Sequence, residues 1–276
     1  MLGARKGYLP RPVAFAAVLA ACLPLTSAPA LAGAAWDDIR AAVFADRPIA
    51  DGQGIVWLKA PYRPEDQRAV PIGVDAAFAD GRTVKTVTLI IDHNPMPVAA
   101  VFHFGAGRDR VALATKLRLN QESDVRAIVE SNDGALYMVA SLVKFAGGQA
   151  ACAAPPSGDP VEVAANMGKM EMTEVAPGTA ATLINHQVRL DIRHPNHTGM
   201  QMDQITLLYI PLRMVSRLEV RQGDEPVFEM DGSIALAENP QLDFDFKPNG
   251  AGNLKVLLKD SENTLWERTF PLRPGS

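Results

Sequence analysis

The chain has 276 residues, of which 27 are basic and 31 are acidic, so its formal net charge is −4. This length allows two modest domains or one large domain. No basic run stands out from the slightly acidic background, which excludes the electrostatic footprint of a nucleic-acid-binding protein. The 21 prolines and 21 glycines indicate a fold with many turns.

Residues 1–32 are predicted to be a signal peptide. Arg5 and Lys6 give a positive start, residues 13–23 are apolar, and Ala30-Leu-Ala32 is a small-residue cleavage site. The apolar stretch is shorter than the roughly 20 residues that a membrane-spanning helix needs. No later segment of the sequence is long enough either, so we expect an exported protein without a transmembrane segment.

The signal region also contains Leu19-Ala-Ala-Cys22, which resembles a bacterial lipobox and leaves lipid anchoring at Cys22 open. In either case Cys22 is not available to pair with Cys152, the other cysteine of the chain. An odd cysteine in an oxidising compartment indicates a reactive thiol or intermolecular pairing.

The first half of the mature chain begins with a helix and continues as strands. Trp36, Ile39 and Val43 lie at helical spacing and predict a short amphipathic helix over 36–44. Short strands are then predicted at 55–60, 69–76, 83–91, 98–104, 112–119, 123–131 and 136–145. Turn signals such as Asn132-Asp-Gly134 separate them, which is typical of an antiparallel sandwich. His93 in a turn and His103 on a strand have no second ligand at metal-like spacing, so we expect no metal or catalytic role for them.

The stretch 147–156 joins this half to the next. Gly147 and Gly148 predict a flexible arm, because glycine reaches backbone conformations closed to other residues. Cys152 follows among alanines, and we expect these small neighbours to leave its thiol accessible. The nearest basic residue on the N-terminal side is Lys144. Because no general base adjoins the thiol in sequence, catalysis by this site alone is not supported.

The second half again alternates between strands and turns. Strands are predicted at 171–175, 187–192, 204–210, 215–221, 225–230, 241–247, 252–259 and 265–271. Leu242-Asp-Phe-Asp-Phe246 is a clear half-buried strand, since apolar and charged residues alternate along it. The fold class expected is all-β, with two immunoglobulin-like β-sandwich domains in tandem after the short N-terminal helix.

A soft-metal site is an alternative that the methionines of this half leave open. Sulfur and imidazole ligands suit Cu(I), but methionines also commonly fill gaps in a core. The candidate copper ligands are Met167, Met170, Met172, His194, His197, Met200 and Met202.

Four stretches resemble the SoxY and SoxZ subunits of the bacterial sulfur-carrier complex. Val87-Thr-Leu-Ile-Ile-Asp-His-Asn-Pro-Met-Pro-Val-Ala-Ala-Val-Phe102 resembles the central SoxY hairpin, and residues 136–148 resemble the strand that leads into SoxY's terminal Gly-Gly-Cys-Gly-Gly arm. His194-Pro-Asn-His-Thr-Gly199 resembles the His-Pro-x-x-Thr-Gly turn of SoxZ, and residues 210–220 resemble the strand after it. The order is similar to that of single-chain SoxYZ-like carriers associated with quinoprotein dehydrogenases.

This resemblance implies a SoxY-like domain over 33–152, a Pro/Ala linker over 153–165 and a SoxZ-like domain over 166–276. It implies a periplasmic carrier without enzymatic activity or cofactor, on which Cys152 holds sulfur intermediates covalently. The implied partners are periplasmic redox enzymes, either Sox-type cytochromes and hydrolase or a quinoprotein dehydrogenase. A non-covalent scaffold for such enzymes is the alternative. The arm departs from the family pattern, because Gln-Ala-Ala precedes Cys152 and the chain continues after it.

Overall fold

A computed structural model describes residues 31–145, 150–176 and 185–272, and the single residue Gly3. The predicted signal peptide, with Cys22, therefore lies outside the described residues except for Gly3 and the start of the first helix. Gly147 and Gly148 also lie outside them. In the part of the chain that is described, no helix has the length and apolarity needed to cross a membrane.

The first half contains one helix and eight strands. They are α1 (Leu31–Phe44), β1 (Ile49–Asp51), β2 (Val56–Lys59), β3 (Val70–Ala77), β4 (Val84–Ile91), β5 (Val98–Phe104), β6 (Arg110–Leu117), β7 (Ser123–Ser131) and β8 (Leu136–Val143). The predicted helix is present, and Trp36 and Ile39 lie on its packed face, but the prediction for Val43 is wrong: Val43 is exposed and Phe44 is buried in its place. Trp36, Ile39 and Phe44 pack on the outer face of a sheet, against Ile90 and Ile128.

The second half contains a short helix and seven strands. They are α2 (Pro160–Asn166), β9 (Met170–Ala176), β10 (His186–Ile192), β11 (Val215–Gln222), β12 (Glu225–Gly232), β13 (Gln241–Phe246), β14 (Asn253–Asp260) and β15 (Leu265–Pro271). The helix α2 begins within the predicted linker, ends one residue beyond it and was not expected. Its start is explained by Asp159, whose carboxylate accepts a hydrogen bond from the Val161 backbone, and by the proline at its first position.

The strands form two sheets that both run through the two halves. The nine-stranded sheet has the order β1-β8-β7-β4-β5-β12-β11-β14-β15, and the six-stranded sheet has the order β2-β3-β6-β13-β10-β9. The halves join where β5 pairs with β12 and where β6 pairs with β13, both antiparallel. Only the β1–β8 pair is parallel among the pairs of the described strands. Residues 31–276 accordingly form one compact unit.

One hydrophobic cluster fills the space between the two sheets. It contains Phe102 and Phe228 from the nine-stranded sheet and Phe244 from the six-stranded sheet, and it includes buried residues of both halves. The rings of Phe228 and Phe244 meet edge to face, with 5.0 Å between their centroids. Burying one such side chain contributes about 1.5–3 kcal/mol. The all-β, immunoglobulin-like sandwich predicted from the sequence is confirmed.

Fourteen of the fifteen predicted strands are present, with ends shifted by at most two residues. The strand predicted at 204–210 is wrong. Asp203 accepts hydrogen bonds from the backbones of Ile205 and Thr206, and this local turn competes with extended pairing. Only an isolated bridge between Met202 and Tyr209 remains there. The three-residue strand β1 was not predicted. The division into two domains stays a prediction, since both sheets are shared by the two halves.

Candidate functional site

Cys152 lies in a turn that packs into the body of the protein. The chain bends over residues 150–154, where the Ala153 and Ala154 backbones donate to the Ala150 and Ala151 carbonyls. Cys152 is free of any disulfide and its residue is only 1% exposed. The expectation of an accessible thiol is therefore wrong for this arrangement. Small neighbours do not expose the cysteine, because the rest of the fold buries the whole turn.

The backbone of Cys152 is bonded to both halves of the chain. Its N–H donates to Asn120 Oδ1 at 3.2 Å, and its carbonyl accepts the Thr198 hydroxyl at 2.6 Å. Gln201 adds a third bond, from Nε2 to the Ala154 carbonyl at 3.0 Å. We call these three hydrogen bonds the latch. Asn120 comes from the first half, whereas Thr198 and Gln201 come from the second.

The loop after β6 positions Asn120. The Asn120 backbone donates to Asn94 Oδ1 at 2.8 Å, and Asn94 Nδ2 donates to the Arg118 carbonyl at 2.7 Å. Asn94 is buried, so both ends of its amide are used inside the protein. The turn between β4 and β5 thereby fixes the loop that receives the cysteine.

The turn His194-Pro-Asn-His-Thr-Gly199 positions Thr198. Asn196 is its anchor: Nδ2 donates to the carbonyls of Ser233 and Leu236, and Oδ1 accepts the Val215 backbone. Asn196 is fully buried and has a positive φ of 46°, a conformation that asparagine tolerates better than most residues. A rigid turn of this kind holds the Thr198 hydroxyl towards the cysteine.

Arg118 is the charged residue whose electrostatic interaction affects the Cys152 thiol. It is buried, and its guanidinium donates to the carbonyls of Asn196, Ile234 and Pro195 at 2.6, 3.2 and 3.4 Å. Burial raises the pKa of the Cys152 thiol, and the positive charge of Arg118 opposes that rise. The docked thiol therefore stays protonated at neutral pH, although a cation lies near enough to favour its thiolate.

Sequence reasoning missed Arg118. In the sequence it is an arginine at the end of a strand, and nothing there separates it from solvent-facing residues such as Lys116. Its burial arises only because the turn at 194–199 and the segment that contains Ile234 fold over it.

A pocket of about 200 Å³ opens beside the cysteine turn. Arg118 and Arg68 line it together with Ala151, Ala154 and other residues of the turn's surroundings. Arg68 is paired with Asp66 at 3.1 Å. Among the described residues, no side chain forms a hydrogen bond with the Cys152 sulfur, so no general base is in place to activate it.

The candidate copper ligands are only partly brought together. Met167, Met202 and His197 line one pocket, whereas Met170 is buried in β9. His194 accepts a hydrogen bond from the Asn196 backbone at Nδ1, which uses the lone pair that a metal would need. Burial lowers the pKa of His194 to about 4. Over residues 31–145, 150–176 and 185–272, no group of three or more His, Cys, Asp or Glu side chains is arranged to hold a metal.

The two remaining histidines of the sequence analysis make local contacts. His103 is exposed on β5 and lies 3.1 Å from Asp231 Oδ2. His93 Nδ1 lies 3.0 Å from the Glu122 carbonyl, and its backbone donates to Ser123. Each therefore has a partner that explains its position.

The family comparisons match both halves of the chain. The family model "Sulfur oxidation protein SoxY" matches residues 40–150, and "Sulphur oxidation protein SoxZ" matches residues 177–271. The chain is a fused SoxYZ-like protein. The SoxY match ends two residues before Cys152, and the turn that carries Thr198 lies within the SoxZ match. The latch thus connects the cysteine turn to both family regions.

The solved structures that match have low sequence identity and low TM-scores. The sulfur carrier protein SoxY from Chlorobium limicola f thiosulfatophilum is 23% identical, with a TM-score of 0.34, and the match covers 41% of this chain and 93% of that one. A β-glycosidase from Bacteroides vulgatus is 7% identical with a TM-score of 0.22, covering 79% of this chain and 24% of that one. The YadV chaperone is 12% identical with a TM-score of 0.21, covering 79% and 99%. A comparison with curated proteins finds no match.

SoxY and SoxZ proteins are carriers and partners rather than catalysts, they are generally periplasmic, and they interact with Sox redox enzymes. The SoxY and SoxZ matches thereby support a role in the sulfur-carrier family for this fused protein.

Proposed function

We propose that this SoxYZ-like protein is a periplasmic carrier that holds a sulfur-containing intermediate covalently on the Cys152 thiol and presents it to partner redox enzymes. It is not itself an enzyme in this proposal. The observation that carries it is the latch: the backbone around Cys152 is held by three hydrogen bonds, one from the SoxY region and two from the SoxZ region.

Such a latch suits a segment that docks and leaves. A hydrogen bond in a protein contributes about 0.5–1.5 kcal/mol net, because water replaces it when it breaks. Three bonds therefore hold the turn without making its release prohibitive. When docked, the thiol is buried and protonated; when released, it regains an ordinary pKa and the thiolate that reacts.

The chemistry of loading requires a partner. Joining the Cys152 sulfur to a second sulfur forms an S–S bond, removes the thiol proton and releases two electrons. Within the described residues no group accepts them, so the oxidant is a partner redox enzyme such as a cytochrome. This division of labour agrees with the finding that no side chain of the described residues is hydrogen-bonded to the sulfur.

Intact mass of the protein purified from periplasm tests the proposal. Wild type should carry increments that match sulfur atoms or a sulfonate group, and Cys152→Ser should carry none. The serine variant is the matched control, because it keeps the size of the side chain and both backbone bonds. The proposal would be contradicted if the thiol were unmodified under every growth condition and sulfur oxidation survived Cys152→Ala.

The buried thiol favours a second candidate. A non-covalent scaffold for a quinoprotein dehydrogenase or cytochrome would need no accessible sulfur, and Cys152 is 1% exposed. In that case Cys152→Ala should leave function intact while separating the SoxY and SoxZ regions should abolish it.

A further inference from the structure

The loop between Asp203 and Leu212 exposes an unusual amount of apolar surface. Ile205, Leu207, Leu208 and Tyr209 are 92, 67, 68 and 68% exposed. Together these side chains leave on the order of 500 Å² in water, which is near the upper end for the largest apolar patch of a monomeric protein. We call these four residues the apolar loop. An exposed patch of this size indicates an interaction site.

An apolar pocket of about 400 Å³ adjoins this loop. Its walls come from α2 (Val163 and Met167), from the loop itself (Ile205) and from the chain just after the cysteine turn, Pro155 and Pro156. Apolar pockets beside an exposed patch receive the anchoring side chains of binding partners. This one lies within four residues of Cys152 along the chain.

Three acidic side chains lie in the pocket or next to it. Asp203 lines it. Asp159, the N-cap of α2, and Glu162 in the first turn of α2 line the adjoining pocket and alternate in the chain with residues that line this one. None of the three carboxylates forms an ion pair with another described residue. Arg213 also lines the pocket, but its charge is compensated by Asp260 and Glu262 at 2.8 and 3.2 Å. A partner that fits would present an apolar side chain surrounded by lysine or arginine, since complementary charges favour encounter.

We infer that the apolar loop and its pocket are the docking surface for the enzyme that loads or processes the cargo of Cys152. This inference rests on the proposed function. The occupant is a different protein rather than a second copy of the chain, because two apolar loops facing each other would bury only about 1,000 Å², below the size of a stable dimer interface. A small interface suits a carrier that must bind and release its partners.

The position of the loop connects docking to the cysteine. The apolar loop begins four residues after Gln201, and the Ile210 backbone at its end donates to the Gln201 carbonyl at 2.9 Å. The Gln201 side chain holds the Ala154 carbonyl in the latch. A partner seated in the pocket also contacts Pro155 and Pro156, on the exit side of the cysteine turn. The docking surface is thereby continuous with the cysteine turn, which must enter the active site of the enzyme.

Loading of Cys152 by partner enzymes tests the inference. Full-length mature protein is incubated with thiosulfate and the periplasmic fraction of the bacterium that makes it, and adducts are followed by intact mass. Leu208→Asp should lower the loading rate at least tenfold. Glu162→Lys should lower it several-fold and weaken its dependence on salt. Val43→Asp is the matched control, because Val43 is 41% exposed on α1, outside this pocket, and that variant should load like wild type.

The outcomes separate the possibilities. Reaction of Cys152 with a small disulfide reagent should be equal in wild type and Leu208→Asp, which shows that the thiol itself is unchanged. Normal loading of Leu208→Asp, or an equal loss in Val43→Asp, overturns the docking inference. A wild type that is dimeric in sedimentation and becomes monomeric in Leu208→Asp assigns the loop to a second copy and also overturns it. Absence of any adduct on wild type overturns the proposed function, and the docking inference with it.

Discussion

Removing the hydroxyl of Thr198 should release the cysteine turn. In Thr198→Val the Cys152 carbonyl loses its 2.6 Å hydrogen bond but stays buried for as long as the turn is docked. A buried carbonyl without a partner costs about 1–3 kcal/mol, and the released turn avoids this cost because water binds the carbonyl. Taking 1–2 kcal/mol, we expect the released population to rise about 5- to 30-fold.

The reaction of Cys152 with dithionitrobenzoate, a chromogenic disulfide, measures this population. The rate should rise by the same factor, since only the released thiol reacts. Thr198→Ser is the matched control, because it keeps the hydroxyl and should react like wild type. Urea unfolding must show both variants folded, because Thr198 also accepts the Met200 backbone. A Thr198→Val rate within twofold of wild type, or a Thr198→Ser rate equally raised, would refute the latch.

Three further predictions concern pH and metal. Burial raises the pKa of Cys152, so docking stabilises the protonated thiol, and this stabilisation is lost as pH rises past the ordinary thiol pKa. The dithionitrobenzoate rate should therefore keep rising beyond about pH 8.5. A plateau at or below that pH would contradict burial of the thiol. Burial lowers the pKa of His194 to about 4 from an ordinary 6.5, so between these pH values the native state binds fewer protons than the unfolded chain. As pH falls across that window, urea unfolding should show the free energy of unfolding fall by roughly 3 kcal/mol. An equal fall in His194→Gln would assign the loss of stability to other groups. The copper alternative predicts one tightly bound Cu(I) that Met167→Leu and Met202→Leu remove; we expect equilibrium dialysis to find no stoichiometric copper on wild type.

Most of the strands could be predicted because the alternation of apolar and polar residues along a strand shows which of its faces is buried. Leu242, Phe244 and Phe246 face the core while Asp243 lies on the other side, and this pattern needs no knowledge of distant residues. The same logic failed at 204–210, where apolar residues are exposed instead of buried. Hydrophobicity in a sequence does not tell a core strand from a binding surface.

The chemistry of the site was less predictable than the fold. Cys152 could be singled out as the only cysteine outside the predicted signal peptide, but its burial depends on Asn120, Thr198 and Gln201, which lie 32 to 49 residues away in the chain. Arg118 carried no local signal, because its partners are backbone carbonyls that any residue offers. The turn at 194–199 could be recognised by its resemblance to SoxZ, but the resemblance did not predict that Thr198 in this turn bonds to the Cys152 backbone.

The pairing of β5 with β12 and of β6 with β13 has a consequence for how the protein is made. If the SoxY and SoxZ regions were produced as separate polypeptides, each would present two bare strand edges, and such edges readily recruit other chains into aggregates. Fusion supplies the missing neighbour at equal stoichiometry as soon as translation ends. The covalent link thus keeps the two pairs of edges together, since neither region can lose the other by dissociation.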